Sequence, residues 1–381
     1  MAKVAFIGHD AGRTGAPMVL LHLLNWLKQA NTSFDLETHI VRPGPLLEDY
    51  LKVSPVFMNG QRIRNASELR ERGRLGRLLK NMQVRPGFRT RYDLIYSNTI
   101  TNGALLGQLV QRGGAKVITH VHELDYWVER SGRSNWEMIR THTNAFIAAS
   151  RAVSAMLQRR GIPKEKIHVI EEFIETRSIE RSAYDGARIR RKYQIPENAF
   201  LVAGGGAETW RKGKDLWIQL AARIKARSPH MPVHFIWVGS KLDREAAYWA
   251  SHDAKLTGVD GCITWTGPVD DPLDHFAACD AFALLSREDP FPLVCLEAGL
   301  LGRPVICFEG SGGIPDLVEN DAGAIVPYLD LSAMAEHLHH WYNDPVLRHT
   351  LGERASEKVK TRYSVDVQAQ KVLAVIQEQL S

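Results

Sequence analysis

Short apolar stretches of strand length, each followed by residues of helical character, recur along this 381-residue chain in two series. That alternation limits the fold more than any other feature, because strands separated by helices pair as parallel neighbours with helices on both faces. In the first series strands are expected at 4–7, 36–41, 94–96, 116–121, 145–149 and 168–170, with helices between most of them, as at 102–112 and 151–160. Residues 178–198 are charged, hold no strand and read as a link. The second series places strands at 200–203, 234–238, 263–265, 281–285, 305–308 and 324–326, and helices at 214–227, 331–342 and 345–362. The expectation is an α/β chain of two doubly wound domains, 1–178 and 179–362, with a closing helix at 363–381. That division agrees with a soft prior of ~150 residues per domain. Such sheets take their ligands at the carboxyl ends of the strands, so the expected site is a cleft between the two domains.

Composition narrows the class. Apolar residues are 44% and charged residues 24%, as in an ordinary globular protein. Cys262, Cys279, Cys295 and Cys307 form no C-x-x-C pair, so reduced, buried thiols in a cytoplasmic protein are expected. The chain enters a strand at once, without signal-peptide character, and lacks a run of ~18 apolar residues. Any membrane contact should therefore be peripheral, on the inner face. Residues 61–91 are the candidate for it, with ten Arg and Lys against Glu68 and Glu71 and a partial apolar face of leucines. That stretch suits anionic lipid or a diphosphate-bearing acceptor; without interleaved aromatic residues it does not suit nucleic acid.

The chemistry concentrates in Ser286 to Gly299. Asp289 and Glu297 lie eight apart across a turn punctuated by Pro290 and Pro292, between a strand and a buried helix. Pro292 suits the first helical position, and Pro290 biases Asp289 to an extended conformation. The N–H groups that open the helix, among them those of Leu293 and Val294, have no intrahelical partner and form an anion seat. An anion seat flanked by two acids suits a ligand with phosphate at one end and hydroxyls at the other. Arg211 and Lys212 stand in a glycine-rich loop of the same domain, where cations suit a diphosphate. Gly8, Gly12 and Gly15 do not have the dinucleotide-binding spacing, and no Walker loop occurs, which argues against a nicotinamide dehydrogenase and a P-loop enzyme.

Together these pieces resemble the retaining family 4 nucleotide-sugar glycosyltransferases of the GT-B fold. The matching segments are 210–216, 266–269, 278–280, 286–298, 302–305 and 312–315, with Gly15-Ala16-Pro17, Val121-His122-Glu123 and Ala149-Ser150 in the first half. The resemblance implies two Rossmann-like domains, an acceptor-binding one at 1–178 and a nucleotide-sugar-binding one at 179–362, with the helix at 363–381 returning to the first. It implies that Lys212, with Arg211, holds the donor diphosphate and stabilises the leaving group. Glu297 would receive the ribose hydroxyls, and Asp289 hydroxyls of the transferred sugar. Leu293 and Val294 would offer N–H to phosphate, and the Val269 backbone would pair with the base. Gly15 and Ala16 match the loop that closes on diphosphate and sugar, and His122 matches a histidine near the donor sugar. The implied donor is a nucleotide diphosphate sugar and the implied acceptor a glycan or lipid-linked glycan. No permanent cofactor and no metal are implied, because no D-x-D cluster stands at a strand end.

Departures from the family pattern leave choices open. The first acid is Asp289 rather than Glu, followed by Pro-Phe-Pro instead of Gly-Phe-Gly, so Glu288 is an alternative sugar-binding acid. The family's arginine ahead of Lys212 is replaced in that area by Gly204–Gly206. A nucleotide-sugar 2-epimerase and a non-catalytic glycan-binding module share the fold and remain rival readings.

Overall fold

The computed structural model describes residues 1–381 except 59, 66–90, 178, 180, 208, 241 and 242. Most of the basic stretch at 61–91 therefore lies outside the described residues. The chain divides into two compact units, Met1–Phe173 with Val365–Ser381, and Ile174–Ser364.

The first unit is built on an eight-stranded sheet in the order β4-β3-β2-β1-β5-β6-β7-β8. Its strands are β1 Ala2–Asp10, β2 Phe34–Arg42, β3 Val56–Met58, β4 Gln61–Ile63, β5 Leu94–Ser97, β6 Lys116–Val121, β7 Ala145–Ala148 and β8 Ile167–Val169. All neighbours are parallel except β3 and β4, an edge hairpin of three-residue strands too short to register as an apolar period. The central strands are buried on both faces, which is why they read as continuous apolar runs. The last helix, Val365–Leu380, belongs to this unit: it packs on helix Gly15–Gln29, buries Val372 and Ile376, and accepts a hydrogen bond from Trp26 Nε1 at Asp366 Oδ1 (3.0 Å).

The second unit has six parallel strands, β9 Phe200–Gly206, β10 Val233–Gly239, β11 Ile263–Gly267, β12 Ala281–Leu284, β13 Val305–Phe308 and β14 Gly323–Val326. Their order is β11-β10-β9-β12-β13-β14, so the winding reverses between β9 and β12, the place where open α/β sheets take ligands. Trp217, Trp237, Phe235 and Trp341 fill the core. Two expectations need correction. Gly204–Gly206 continue β9 instead of forming a loop, because the sheet there has no room for side chains. A Cβ on Gly204 would lie 2.8 Å from the Trp217 ring, and one on Gly205 2.9 Å from the Val238 carbonyl. The charged segment 178–198 also holds helix Gly186–Lys192, which packs on helix Pro272–Ala278. Its one buried apolar residue, Ile189, is too little for a period to be seen, and Arg190 anchors it to Asp280 Oδ2 (2.9 Å). Among the described residues no helix is long and apolar enough to cross a membrane.

Candidate functional site

In the second unit β9 leads into a single 3-10 turn, Trp210–Lys212, and then into helix Lys214–Arg227. Gly213 makes the junction with φ +69°, and a Cβ there would lie 2.0 Å from the Leu285 carbonyl. The turn is thereby pressed against the end of β12, and Arg287 N donates to Arg211 O (2.7 Å). Across this seam the Lys212 ammonium pairs with Asp289 Oδ2, and Ser286 Oγ donates to the same oxygen (3.1 Å). Arg211 donates to the Glu288 carbonyl (2.6 Å) and lies 3.8 Å from Asp289 Oδ1. Asp289 is 5% exposed, so this is a buried ion pair with added hydrogen bonds. Its backbone is held as firmly: Asp289 N donates to Ser311 O (2.7 Å), and Gly312, at φ +145°, passes so close that a Cβ would lie 1.6 Å from the Asp289 carbonyl.

Glu297 is held differently. Helix Leu293–Leu300 carries it on its second turn, and Pro292 is the residue before the helix rather than its first residue. Among the described residues the Glu297 carboxylate takes no hydrogen bond and no ion pair. Its residue surface is half-buried, and burial alone pushes the carboxyl up to about 7. The N–H groups of Leu293 and Val294 have no intrahelical acceptor, and no side chain caps the helix. The buried Cys295 thiol lies within the field of the whole group: burial raises its pKa first, Asp289, Cys307 and Glu297 add to the rise, and Lys212 opposes it. Val269 stands in the segment between β11 and helix Pro272–Ala278, half-buried.

Two residues not singled out from the sequence, Arg287 and Lys214, lock this region. Arg287 grips Asp215 with two hydrogen bonds (2.8 and 2.6 Å) and lies 5.1 Å from the Trp210 ring. Lys214 is buried, donates to Ser240 O (2.8 Å) and faces the rings of Trp237 and Trp265. Their side-chain hydrogen bonds to Asp215 and Ser240 span 72 and 26 residues of sequence, and no local spacing signals them.

In the first unit Gly15 and Ala16 open helix Gly15–Gln29, and the Ala16 carbonyl accepts Asn98 Nδ2 (2.7 Å). His122 follows β6; its Nδ1 meets Glu172 Oε1 (2.5 Å) and its Nε2 meets Asn98 Oδ1 (3.0 Å). The structure thus joins His122 to Ala16 through Asn98, and neither Asn98 nor Glu172 was found from the sequence. Burial by itself would lower the His122 pKa, but the Glu172 charge and hydrogen bond, with Glu123, carry it above the ordinary imidazole value. Neighbouring His120 is buried, with Nδ1 on the Tyr96 hydroxyl (2.7 Å). His120, His122 and Glu172 bring metal-ligand atoms within 4.8 Å of one another. Both His122 nitrogens are engaged by hydrogen-bond partners, whereas His120 Nε2 and Glu172 Oε2 are buried without one among the described residues.

Comparison with known proteins bears on both units. Residues 13–178 match the sequence profile described as Glycosyltransferase Family 4, and residues 197–344 that of Glycosyl transferases group 1. The D-inositol 3-phosphate glycosyltransferase of Salinispora arenicola is 24% identical over 291 residues, 69% of this chain and 64% of that protein. The capsular polysaccharide biosynthesis glycosyltransferase CapM of Staphylococcus aureus is 30% identical over 224 residues, 58% of each chain. The matched segments therefore span less than two thirds of either relative's length. In three dimensions, Anabaena HepE in complex with UDP and glucose superposes with a TM-score of 0.79 over 99% of this chain and 100% of its own, at 19% identity. That likeness establishes the GT-B fold.

The unpaired acid makes stability depend on pH. The folded-state pKa of Glu297, about 7, lies above its free value of 4.5, so the folded protein is not penalised at pH 4.5 and loses stability as pH rises to 7. Glu297→Gln should therefore stabilise the ligand-free protein above pH 7, by on the order of 1–3 kcal/mol, and leave it unchanged at the acid end. Urea denaturation at the two pH values checks this; identical midpoint differences at both would show that the carboxyl is not held unpaired.

Proposed function

Because the chain belongs to glycosyltransferase family 4 and has the GT-B fold, we propose that it is a retaining glycosyltransferase that moves a hexose-type sugar from a nucleotide diphosphate sugar to an acceptor hydroxyl. The observation that carries this reading is Glu297, a half-buried acid whose carboxylate takes no hydrogen bond or ion pair among the described residues, on a helix with open N–H groups and in a common field with a buried Lys–Asp pair. A site with a held cation, an anion seat and an unfilled acceptor fits a diphosphate joined to a polyhydroxylated group.

In this proposal Lys212 and Arg211, with the Leu293 and Val294 N–H groups, receive the diphosphate. Glu297 accepts from the ribose hydroxyls, and the Val269 backbone pairs with the base. Asp289, or Glu288 beside it, binds hydroxyls of the transferred sugar. Gly15 and Ala16 close on diphosphate and sugar, and His122 bears on them through that loop. The bond from the anomeric carbon to the diphosphate oxygen breaks, and the acceptor oxygen bonds to the same face. The acceptor proton passes to an oxygen of the leaving diphosphate, whose developing charge Lys212 and the amides stabilise without a metal. The capsular polysaccharide role in the name of CapM favours a bacterial surface glycan, free or on a lipid carrier, as acceptor. The complex of HepE with UDP and glucose makes UDP-glucose the first donor to test.

Transfer measured alongside binding of the bare nucleotide diphosphate tests the roles. Lys212→Ala should lower transfer by about two orders of magnitude or more. Glu297→Gln should weaken the bare nucleotide by ~1.5–3 kcal/mol. Asp289→Asn should leave that affinity nearly unchanged and lower turnover. If Asp289→Asn stays active while Glu288→Gln fails, Glu288 is the sugar-binding acid. An epimer formed from nucleotide sugar alone would replace transfer with 2-epimerisation, and normal turnover in all four variants would remove this site from the reaction.

Transfer should also persist in excess EDTA; loss restored by Mg²⁺ or Mn²⁺ would overturn the metal-free route.

The stretch 61–91 is proposed to reach anionic lipid at the inner membrane face. Replacing Arg70, Arg72, Arg74 and Arg77 with Gln should weaken binding to anionic vesicles by about 1 kcal/mol per charge. Unchanged vesicle binding would leave the stretch without that role.

A further inference from the structure

Hydrogen-bond bookkeeping at His122 leads beyond the assignment of a histidine near the donor sugar. Its Nδ1 faces a carboxylate oxygen of Glu172, which can only accept while ionised. Its Nε2 faces Oδ1 of Asn98, and the orientation of that amide is dictated by its other end. Asn98 Nδ2 donates to the Ala16 carbonyl, and a reversed amide would set oxygen against oxygen there and NH₂ against the ring. With Glu172 ionised, both ring nitrogens meet acceptors, and both then carry a proton.

We propose that Glu172 is a positioning residue that holds His122 as a doubly protonated imidazolium, and that this cation fixes Asn98 and, through it, the Ala16 carbonyl at the opening of helix Gly15–Gln29. His122 then has no lone pair with which to act as a base and no free N–H to offer a ligand. It acts through the loop it braces, and the catalytic contact expected of it passes to Gly15 and Ala16. The groups facing the ring agree with a charged state. Glu172 comes from the segment after β8 and Glu123 from the segment after β6, and both favour the cation. His120, whose ring centroid lies 4.0 Å away, is pushed well below the ordinary value by burial and then by His122, and stays neutral. His9, from β1, is lowered first by burial and to a lesser degree by His122. Tyr96, from β5, is kept protonated by burial and then by Glu172. One cation thus stands among neutral rings, with two carboxylates to balance it. Glu123 is itself fixed by Thr99 Oγ1 and by the His122 N–H (2.9 Å).

The charge state is independent of the reaction; its use in transfer rests on the function proposed above, and the test separates the two. Ring ¹⁵N and ¹H signals of the full chain, assigned by loss in His122→Gln, should show His122 titrating above the free-imidazole value of about 6.5. Glu172→Gln should lower that midpoint by about 1–3 pH units, and Glu172→Asp should restore most of it. Asn98→Asp, which adds a second carboxylate to the ring, should raise the midpoint, and it serves if Glu172→Gln does not fold. In the transfer assay Glu172→Gln should lose activity as pH rises through its lowered His122 midpoint and recover at acid pH. A purely structural defect would lower transfer equally at every pH. A wild-type His122 titrating at or below the free value, or midpoints unmoved by the Glu172 and Asn98 variants, overturns the proposal. A shifted midpoint in a protein without transferase activity upholds the charge assignment and overturns the function.

Discussion

The buried pair of Lys212 and Asp289 is the interaction on which the second unit's candidate site depends. A charge taken out of water costs several kcal/mol even after relaxation, and a partner at close range offsets that only if the remaining lone pairs are also satisfied. Here the surroundings do so. Ser286 supplies a second donor to the same carboxylate oxygen, Arg211 stands on the other oxygen, and the Asp289 backbone is clamped by Ser311 and Gly312. Removing one partner would leave the other buried and uncompensated, a loss of about 3–5 kcal/mol. The pair also sews together two segments 77 residues apart at the point where the strand order reverses. Chain elements that would otherwise be separate loops become one rigid floor.

Against that floor Glu297 is the exception, and the contrast is informative. Asp289 is buried and paired; Glu297 is half-buried and takes no hydrogen bond or ion pair among the described residues, and burial raises its carboxyl pKa to about 7. In an ordinary core such a group would be replaced or paired. Its retention beside unpaired helix amides fits a place completed by a ligand. The first unit shows the opposite arrangement, since His122 has every polar ring atom occupied.

Much of this was legible in the sequence, for a definite physical reason. Strands buried on both faces write themselves as apolar runs, so both sheets and the closing helix could be laid out from residue pattern. The block from Ser286 to Gly299 announced its strand, turn and helix through Pro290 and Pro292. What escaped depends on distance. Glu172 lies 50 residues from His122 and Asn98 lies 24 from it, and no periodicity links them. The pairing of Lys212 with Asp289 escaped as well: each was assigned to a different part of a ligand, whereas without one they hold each other. The edge hairpin of β3 and β4 and the helix Gly186–Lys192 escaped because each buries too few apolar residues to leave a pattern.

The pairing bears on how the proposed site would respond to its donor. Among the described residues Lys212 donates to Asp289 alone, so two of its three ammonium protons would remain for a diphosphate. In the proposed reaction, a diphosphate that drew Lys212 toward itself would leave Ser286 on Asp289 Oδ2 and room there for a sugar hydroxyl, with the Asp289 backbone still clamped by Gly312. On the function proposed above, the proline-flanked Asp289 and its paired lysine would act together, the lysine on the diphosphate and the acid on the sugar that comes with it.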